Sequence, residues 1–179
     1  MATPYGHTLA GLTILNLWYP QIAPSKRREW FVYGLVVLGA SFPDLDFIPG
    51  LILGQIGRFH HGNFHSLGVA IGATLITGIF IKLIQPRSSF IKTSSFVLGL
   101  GISHLFLDFF TESPFGFPLF WPFTETKLLS PIPIFPRVAW IWEDPVFWSQ
   151  ALFCFSVESF LLLPLWIITW IRVISPEQT

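Results

Sequence analysis

The fold is decided by the stretch FHSLGVAIGATLITGIFIKLI, which runs from Phe64 to Ile84. Its length of about 21 residues, with one lysine, matches the roughly 20 apolar residues that a helix needs to cross a bilayer. The rest of the chain agrees, because 52% of its 179 residues are hydrophobic and only 11% are charged. A soluble domain would need more surface charge. We predict an all-α, polytopic membrane protein with one integral membrane domain over residues 1–179.

Four further apolar segments flank this stretch. Val146 to Ile174 is long enough to cross with a tilt or a kink at Pro164, and Ser94 to Phe110 is short but sufficient. His7 to Tyr19 and Trp30 to Ser41 are shorter, near the length at which a buried or partly inserted helix competes with a full span. We therefore expect a membrane bundle of about five helices.

The basic residues predict the orientation of this bundle. Seven of the ten lie on one side of the predicted spans: Lys26, Arg27, Arg28, Lys82, Arg87, Lys92 and Arg172. Arg58, Lys127 and Arg137 lie on the other side. The positive-inside rule then predicts an N-terminus outside, a cytoplasmic C-terminus and an extracytoplasmic loop, rich in aromatic residues and proline, at about residues 111–145.

Histidine and aspartate side chains recur in short clusters, and the predicted orientation places every cluster on the extracytoplasmic side. Ionisable groups in a membrane protein are expensive and are by default candidates for a functional site. Histidine and carboxylate are ligands that zinc, manganese or iron selects. The candidate metal ligands are His7, Asp44, His60, His65, His104 and Asp108.

The spacing within two clusters suits a shared ion. His104 and Asp108 are four residues apart, so a helix presents both on one face; the alternative is a hydrogen-bonded pair. Asp44 and Asp46 either bridge two metals or divide between a ligand and a supporting carboxylate. The alternative for this pair is a solvated helix end.

The remaining histidines are less uniform. Gly62 allows a turn that brings His60 and His65 to one centre, and His65 begins the third predicted helix. His61 is as readily a polar loop residue as a ligand. A lone histidine such as His7 is more often structural. It is a candidate metal ligand because it lies on the same predicted side of the membrane as the other clusters.

Three other polar positions have open roles. Asp144 precedes Pro145 at the start of the last segment, where N-capping competes with a role in a site. Glu158 lies inside the last span and is protonated, paired with another helix or part of a path. Ser66 and Ser103 adjoin histidines, but the chain has no Gly-x-Ser-x-Gly nucleophile elbow.

The ordered set of motifs resembles the bacterial inner-membrane metal-dependent hydrolases of the YdjM type. The motifs are His7-Thr-Leu-Ala-Gly11, Pro43-Asp-Leu-Asp46, His60-His-Gly-Asn-Phe-His-Ser66, His104-Leu-Phe-Leu-Asp108, Pro114-Phe-Gly116 and Asp144-Pro145. In that family His60 and His65 correspond to paired histidines, and an arginine commonly stands where this chain has His61. The order is also similar to the zinc-dependent phospholipase C and nuclease group, although the later His-x-x-x-Glu pair of that group is absent here.

The resemblance implies a bacterial inner-membrane hydrolase with one or more divalent ions, zinc first and manganese or iron as alternatives. We expect metal-activated water to attack a small or lipid-like phosphoester, with membrane lipid as partner and with Asp46 or Asp144 taking a proton. A net charge of zero argues against nucleic acid. The alternatives are a metal-stabilised membrane protein without catalysis and a transporter.

Overall fold

The computed structural model describes residues 2–22, 29–55, 59–138 and 144–174. This part of the chain is all-helical, as the sequence predicts, and its α-helices are α1 Pro4–Ile22, α2 Glu29–Ala40, α3 Phe47–Ile52, α4 Leu67–Ile84, α5 Phe90–Phe109 and α6 Phe147–Ile174. Some basic residues used to predict the orientation lie outside the described part: Lys26, Arg27, Arg28 and Arg58.

The five predicted segments each correspond to one of these helices, with ends that differ by a few residues. The structure adds α3, which the sequence did not predict. A 3-10 helix, Phe42–Asp46, leads directly into it. Pro43 favours this local helix start, because proline has a helical φ angle and lacks only an N–H that the first turn leaves unbonded.

The third predicted helix starts later than expected, so His65 lies in the loop before it. Ser66 is the N-cap of α4: its Oγ accepts a hydrogen bond from Val69 N at 3.2 Å and donates one to Asn63 O at 2.6 Å. An N-cap residue has a non-helical backbone. The chain can therefore turn between His60 and His65 before the helix begins.

Three of the described helices, α4, α5 and α6, are long and apolar enough to cross a membrane. The helix α6 runs unbroken through Pro164. A fourth crossing is possible if Val32–Ala40 and Phe42–Ile52, which are bent by 57° at their junction, form one broken span.

The helix α1 is central to the bundle, since it packs against α2, α5 and α6. Its polar residue Asn16 donates from Nδ2 to Thr169 Oγ1 of α6 at 3.1 Å. Side-chain contacts join the start of α1 and the loop before α4 to the end of α5, and His104 of α5 contacts the last residue of α2. One end of the bundle therefore gathers side chains from four separate segments.

The segment 111–138 lies across the start of α4. Leu67 N donates to Leu119 O at 2.9 Å, and Gly68 N donates to Trp121 O at 3.2 Å. These carbonyls satisfy N–H groups that the first turn of a helix leaves free. A Cβ atom at Gly68 would overlap Trp121 O, so this close approach requires glycine.

The docking of this segment predicts contrasting effects for two glycines of α4. Gly68→Ala should lower the Tm of the detergent-solubilised protein, because the new methyl group meets backbone at Trp121 that cannot rotate away. Gly72→Ala is the matched control, since a Cβ there has nothing within 4 Å. Equal melting temperatures for the two variants would contradict the described packing of the loop on α4.

Candidate functional site

Eight buried histidine and aspartate side chains meet at the end of the bundle described above. We call them the His/Asp cluster: His7, Asp44, Asp46, His60, His61, His65, His104 and Asp108. They come from α1, the 3-10 helix, the loop before α4, and the last turns of α5. The structure thus brings together all six residues predicted as ligands. It also adds Asp46 and His61.

The outward-facing ring nitrogens of three histidines are held by acceptors. His104 Nδ1 donates to Ala40 O at 2.7 Å. Asp46 accepts from His60 Nδ1 at 2.8 Å and from His65 Nδ1 at 3.0 Å. Because a carbonyl or a carboxylate can only accept, each Nδ1 carries the hydrogen, and the Nε2 of each neutral ring is a lone pair. Metal-ligating histidines in proteins almost always have this arrangement.

The lone pairs crowd together inside the cluster. The Nε2 atoms of His65 and His104 are 3.3 Å apart, and each lies 3.2 Å from Asp108 Oδ2. Asp44 Oδ1 is 3.4 Å from His65 Nε2 and 3.6 Å from His104 Nε2. Neutral rings and carboxylates in these tautomers repel one another. The arrangement therefore needs a proton or a metal cation between the donor atoms.

Several buried polar atoms of the cluster lack a hydrogen-bond partner in the described part of the chain: His7 Nδ1 and Nε2, both Asp44 carboxylate oxygens, His61 Nε2 and Asp108 Oδ2. An unsatisfied buried polar group costs about 1–3 kcal/mol. These atoms do have close neighbours within the cluster, such as Asp108 Oδ1, which lies 3.5 Å from His7 Nε2. Their positions fit a shared ion better than pairwise hydrogen bonds.

The donor atoms form two groups. His7, Asp44, His104 and Asp108 supply ligand atoms within 4.8 Å of one another, and so do His60, His61 and His65. Tetrahedral zinc with bonds of about 2.0–2.1 Å places its ligand atoms roughly 3.3 Å apart. The separations of 3.2–3.6 Å between His104 Nε2, Asp44 and Asp108 agree with that spacing.

His61 belongs to the cluster although the sequence left its role open. Its backbone has a φ of 60°, a left-handed conformation that non-glycine residues rarely adopt and that is common at functional sites. Its Nε2 lies 3.8 Å from Asp108 Oδ2. Burial, with repulsion from the neighbouring His65 and His60, lowers the pKa of His61, so its ring is neutral and able to bind a metal.

The charge of the cluster is negative. Every ion pair among the described residues joins a histidine to an aspartate, and no described lysine or arginine pairs with Asp44, Asp46 or Asp108. Burial alone lowers the pKa of His65, but the three carboxylates around it outweigh burial and raise that pKa well above its usual value. The three carboxylates therefore attract a cation.

The structure does not bring the predicted catalytic residue Asp144 into the cluster. Its Oδ1 accepts a hydrogen bond from Val146 N at 3.0 Å, within the turn that precedes α6. Ser103 is also occupied, since its Oγ donates to Leu100 O at 2.8 Å. Ser66 caps α4. None of these three side chains is arranged as a nucleophile or base.

Phe117 from the segment 111–138 covers the cluster. Only 1% of its surface is exposed, and its ring centroid lies 5.6 Å from that of His61 and 5.9 Å from that of His65. Other apolar side chains of the loop are exposed, including Phe115 and Phe123. One aromatic ring of this segment therefore packs over the site, and other rings of the same segment are exposed.

Glu158 has a structural role that the sequence could not resolve. Its Oε1 accepts from Thr3 N at 2.6 Å, and its Oε2 accepts from Thr3 Oγ1. Ala2 N donates to Asp108 Oδ1 at 2.9 Å. Two carboxylates thus hold the backbone before α1, one turn from His7. No sequence signal pairs residues so far apart in the chain.

Removal of this carboxylate should destabilise the protein. We expect Glu158→Ala to lower the free energy of unfolding by about 1–3 kcal/mol, because Thr3 N–H loses its buried acceptor. Ser156→Ala, on the exposed side of the same helix, is the control. Thermal unfolding of both purified variants in detergent measures the difference; a wild-type Tm for Glu158→Ala would exclude this anchoring role.

Comparisons with known proteins agree with the membrane interpretation. A family model described as YdjM inner membrane protein matches residues 1–176. No curated protein and no solved structure matches the chain.

Proposed function

The chain belongs to the YdjM inner membrane protein family, and from this premise we propose that it is a membrane-bound metal-dependent hydrolase. The observation that carries the proposal is that histidine Nε2 lone pairs and carboxylate oxygens converge at one place. The Nδ1 atoms of His60, His65 and His104 are already hydrogen-bonded, which fixes the orientation of these rings. The proposed substrate is a phosphoester or a lipid-like compound at the extracytoplasmic membrane face.

The two groups of donor atoms suit two ions of different character. His7, Asp44, His104 and Asp108 offer four ligands, which completes a tetrahedral zinc site of the structural kind. His60, His61 and His65 offer three, which leaves a position for water or substrate as in catalytic zinc sites. Manganese or iron are alternatives with the same ligand types.

The side chains around the donor atoms divide the remaining tasks. A bound ion of this type supplies hydroxide from water at neutral pH and polarises the scissile bond. Asp46 orients His60 and His65 and has both oxygens occupied by them, so we assign it a positioning role rather than that of a base. The Ala40 carbonyl orients His104, and Phe117 excludes bulk water.

The alternatives have weaker support. A non-catalytic metal protein needs a saturated site, whereas the three-histidine group by itself supplies three protein ligands. A transporter needs polar groups along several spans, but Glu158, the main example, is used to anchor the start of α1.

The extracytoplasmic location of the cluster is part of the proposal. Lys82, Arg87, Lys92 and Arg172 lie near the helix ends away from the cluster, whereas Lys127 and Arg137 lie on the loop that covers it. The positive-inside rule then places the cluster outside the cytoplasm.

Fusions with reporters test this orientation. A phosphatase or fluorescent reporter after Thr179 should report a cytoplasmic C-terminus, and one inserted near Gly54 should report an external loop, because an odd number of spans separates the two positions. The same side for both reporters would refute the proposed orientation without affecting the geometry of the cluster.

Metal content tests the cluster directly. Purified protein loaded with zinc and desalted should retain about one or more ions per chain by elemental analysis. Asp108→Asn should lower that content, since Asp108 contacts histidines of both donor groups. Ser103→Ala is the control on the same helix. Wild-type zinc content in Asp108→Asn would reject Asp108 as a ligand and favour a protonated histidine cluster.

Catalysis is tested with soluble phosphodiesters and with phospholipids. Chelation should abolish turnover, and zinc or manganese should restore it. His65→Ala should lower kcat/KM by orders of magnitude, and Asp46→Asn by about 10–100-fold, the usual cost of removing a partner that orients a ligand. Ser103→Ala should retain activity. If Ser103→Ala were inactive with its metal bound, a serine nucleophile would replace metal-activated water.

A further inference from the structure

An apolar groove runs between α2, α4 and α5 and has a volume of about 300 Å³. Its walls contain aliphatic and aromatic side chains, with Thr77 and Thr93 as the hydroxyl-bearing residues and no titratable group. Small residues such as Ala73 and Gly101 keep it open. Such a volume is at the lower end of the range for ligand pockets.

The groove begins beside the elements that carry the His/Asp cluster. Its lining includes Pro43 and Phe64, which directly precede Asp44 and His65 in the chain. Leu100, one turn before His104 on α5, also lines it. The 3-10 helix, the loop before α4 and the helix α5 carry donor atoms of the cluster, and they also form one end of the groove.

From the cluster the groove follows α4 into the membrane. Val69, Ala73, Thr77 and Ile81 line it at intervals of four residues, a stripe on one face of the helix. At 1.5 Å per residue this stripe is about 18 Å long. Both α4 and α5 are membrane spans by length and composition, so the groove lies at the depth of lipid hydrocarbon.

The rim of the groove is open to lipid. Leu38 at its edge is 71% exposed, and Phe64 is 42% exposed. A narrow groove of this volume suits an unbranched hydrocarbon chain better than a helix, whose diameter with side chains is about 10–12 Å. A lining with two hydroxyl groups and no charged group cannot replace the hydrogen bonds that a polar ligand would lose on leaving water.

We propose that the groove holds one acyl chain of a lipid phosphoester whose headgroup lies at the His/Asp cluster. The headgroup part rests on the proposed hydrolase function, because it assigns the phosphoester to the metal-binding end. The placement of the acyl chain rests on the groove alone. A lipid would reach the cluster from within the bilayer, with its acyl chain setting the position of its headgroup.

The test uses two tryptophan variants of α4. Ala73→Trp fills the groove, whereas Ile76→Trp adds the same side chain at a position of α4 that does not line the groove, where Ile76 is 71% exposed. Each protein is reconstituted without metal in phosphatidylethanolamine vesicles that contain phosphatidylglycerol with a photoreactive diazirine in one acyl chain. Mass spectrometry then locates the labelled peptides.

We expect labelling of the groove-lining peptides in the wild type and in Ile76→Trp, and a loss of several-fold in Ala73→Trp. Labelling that is even over the lipid-facing surface, or unchanged in Ala73→Trp, overturns the proposal. A wild-type dimer that Ala73→Trp converts to a monomer, without groove labelling, assigns the groove to a second copy of the chain and also overturns it.

A second readout separates this inference from the hydrolase proposal. With zinc bound, Ala73→Trp should lower kcat/KM for a long-chain phospholipid at least tenfold and leave that for a short soluble phosphodiester unchanged. Equal losses on both substrates would overturn the acyl-chain site. Groove labelling without hydrolysis of either substrate supports the lipid site and rejects the hydrolase.

Discussion

Three buried carboxylates without a lysine or arginine partner among the described residues form the constraint on which this structure depends. Asp44, Asp46 and Asp108 are each at most 6% exposed, at one end of an apolar bundle. Isolated buried charges of this kind are not tolerated, because desolvation is too costly. Histidines from α1, from the loop before α4 and from α5 surround them. The cluster is therefore a cation site in chemical terms, whether protons or metal ions supply the charge.

Two kinds of carboxylate contact make the arrangement rigid. Asp46 accepts from the Nδ1 atoms of His60 and His65, whereas Asp108 faces the Nε2 atom of His65 and also accepts from Ala2 N. Glu158 adds a further hold on the backbone before α1. His7, stacked on His104 with ring centroids 3.8 Å apart, is thereby fixed relative to α5. A site assembled from separate helix ends needs such anchors to keep its ligands within bonding distance.

The sequence predicted the spans and the convergence of the ligands, because both depend on local information. Apolar length identifies α4 and α6, and alternation of helix direction places His7, His65 and Asp108 at one end. It did not predict α3, nor the contact of Glu158 with Thr3, which joins residues 155 positions apart. It also could not assign Asp46, because the difference between ligand and orienting carboxylate depends on which ring nitrogens it meets. Those features arise only from packing.

The burial pattern also bears on how a substrate approaches. His7, His65 and His104 have no exposed surface, and Phe117 of the segment 111–138 lies over the cluster. The residual exposure is 8% on His60 and 6% on each of Asp44, Asp46 and His61. Pro43 and Phe64, beside the cluster, continue into the groove between α2, α4 and α5. The groove is lined by apolar side chains up to Pro43 and Phe64. Under the proposed function, this apolar route favours substrates that are already dissolved in the membrane.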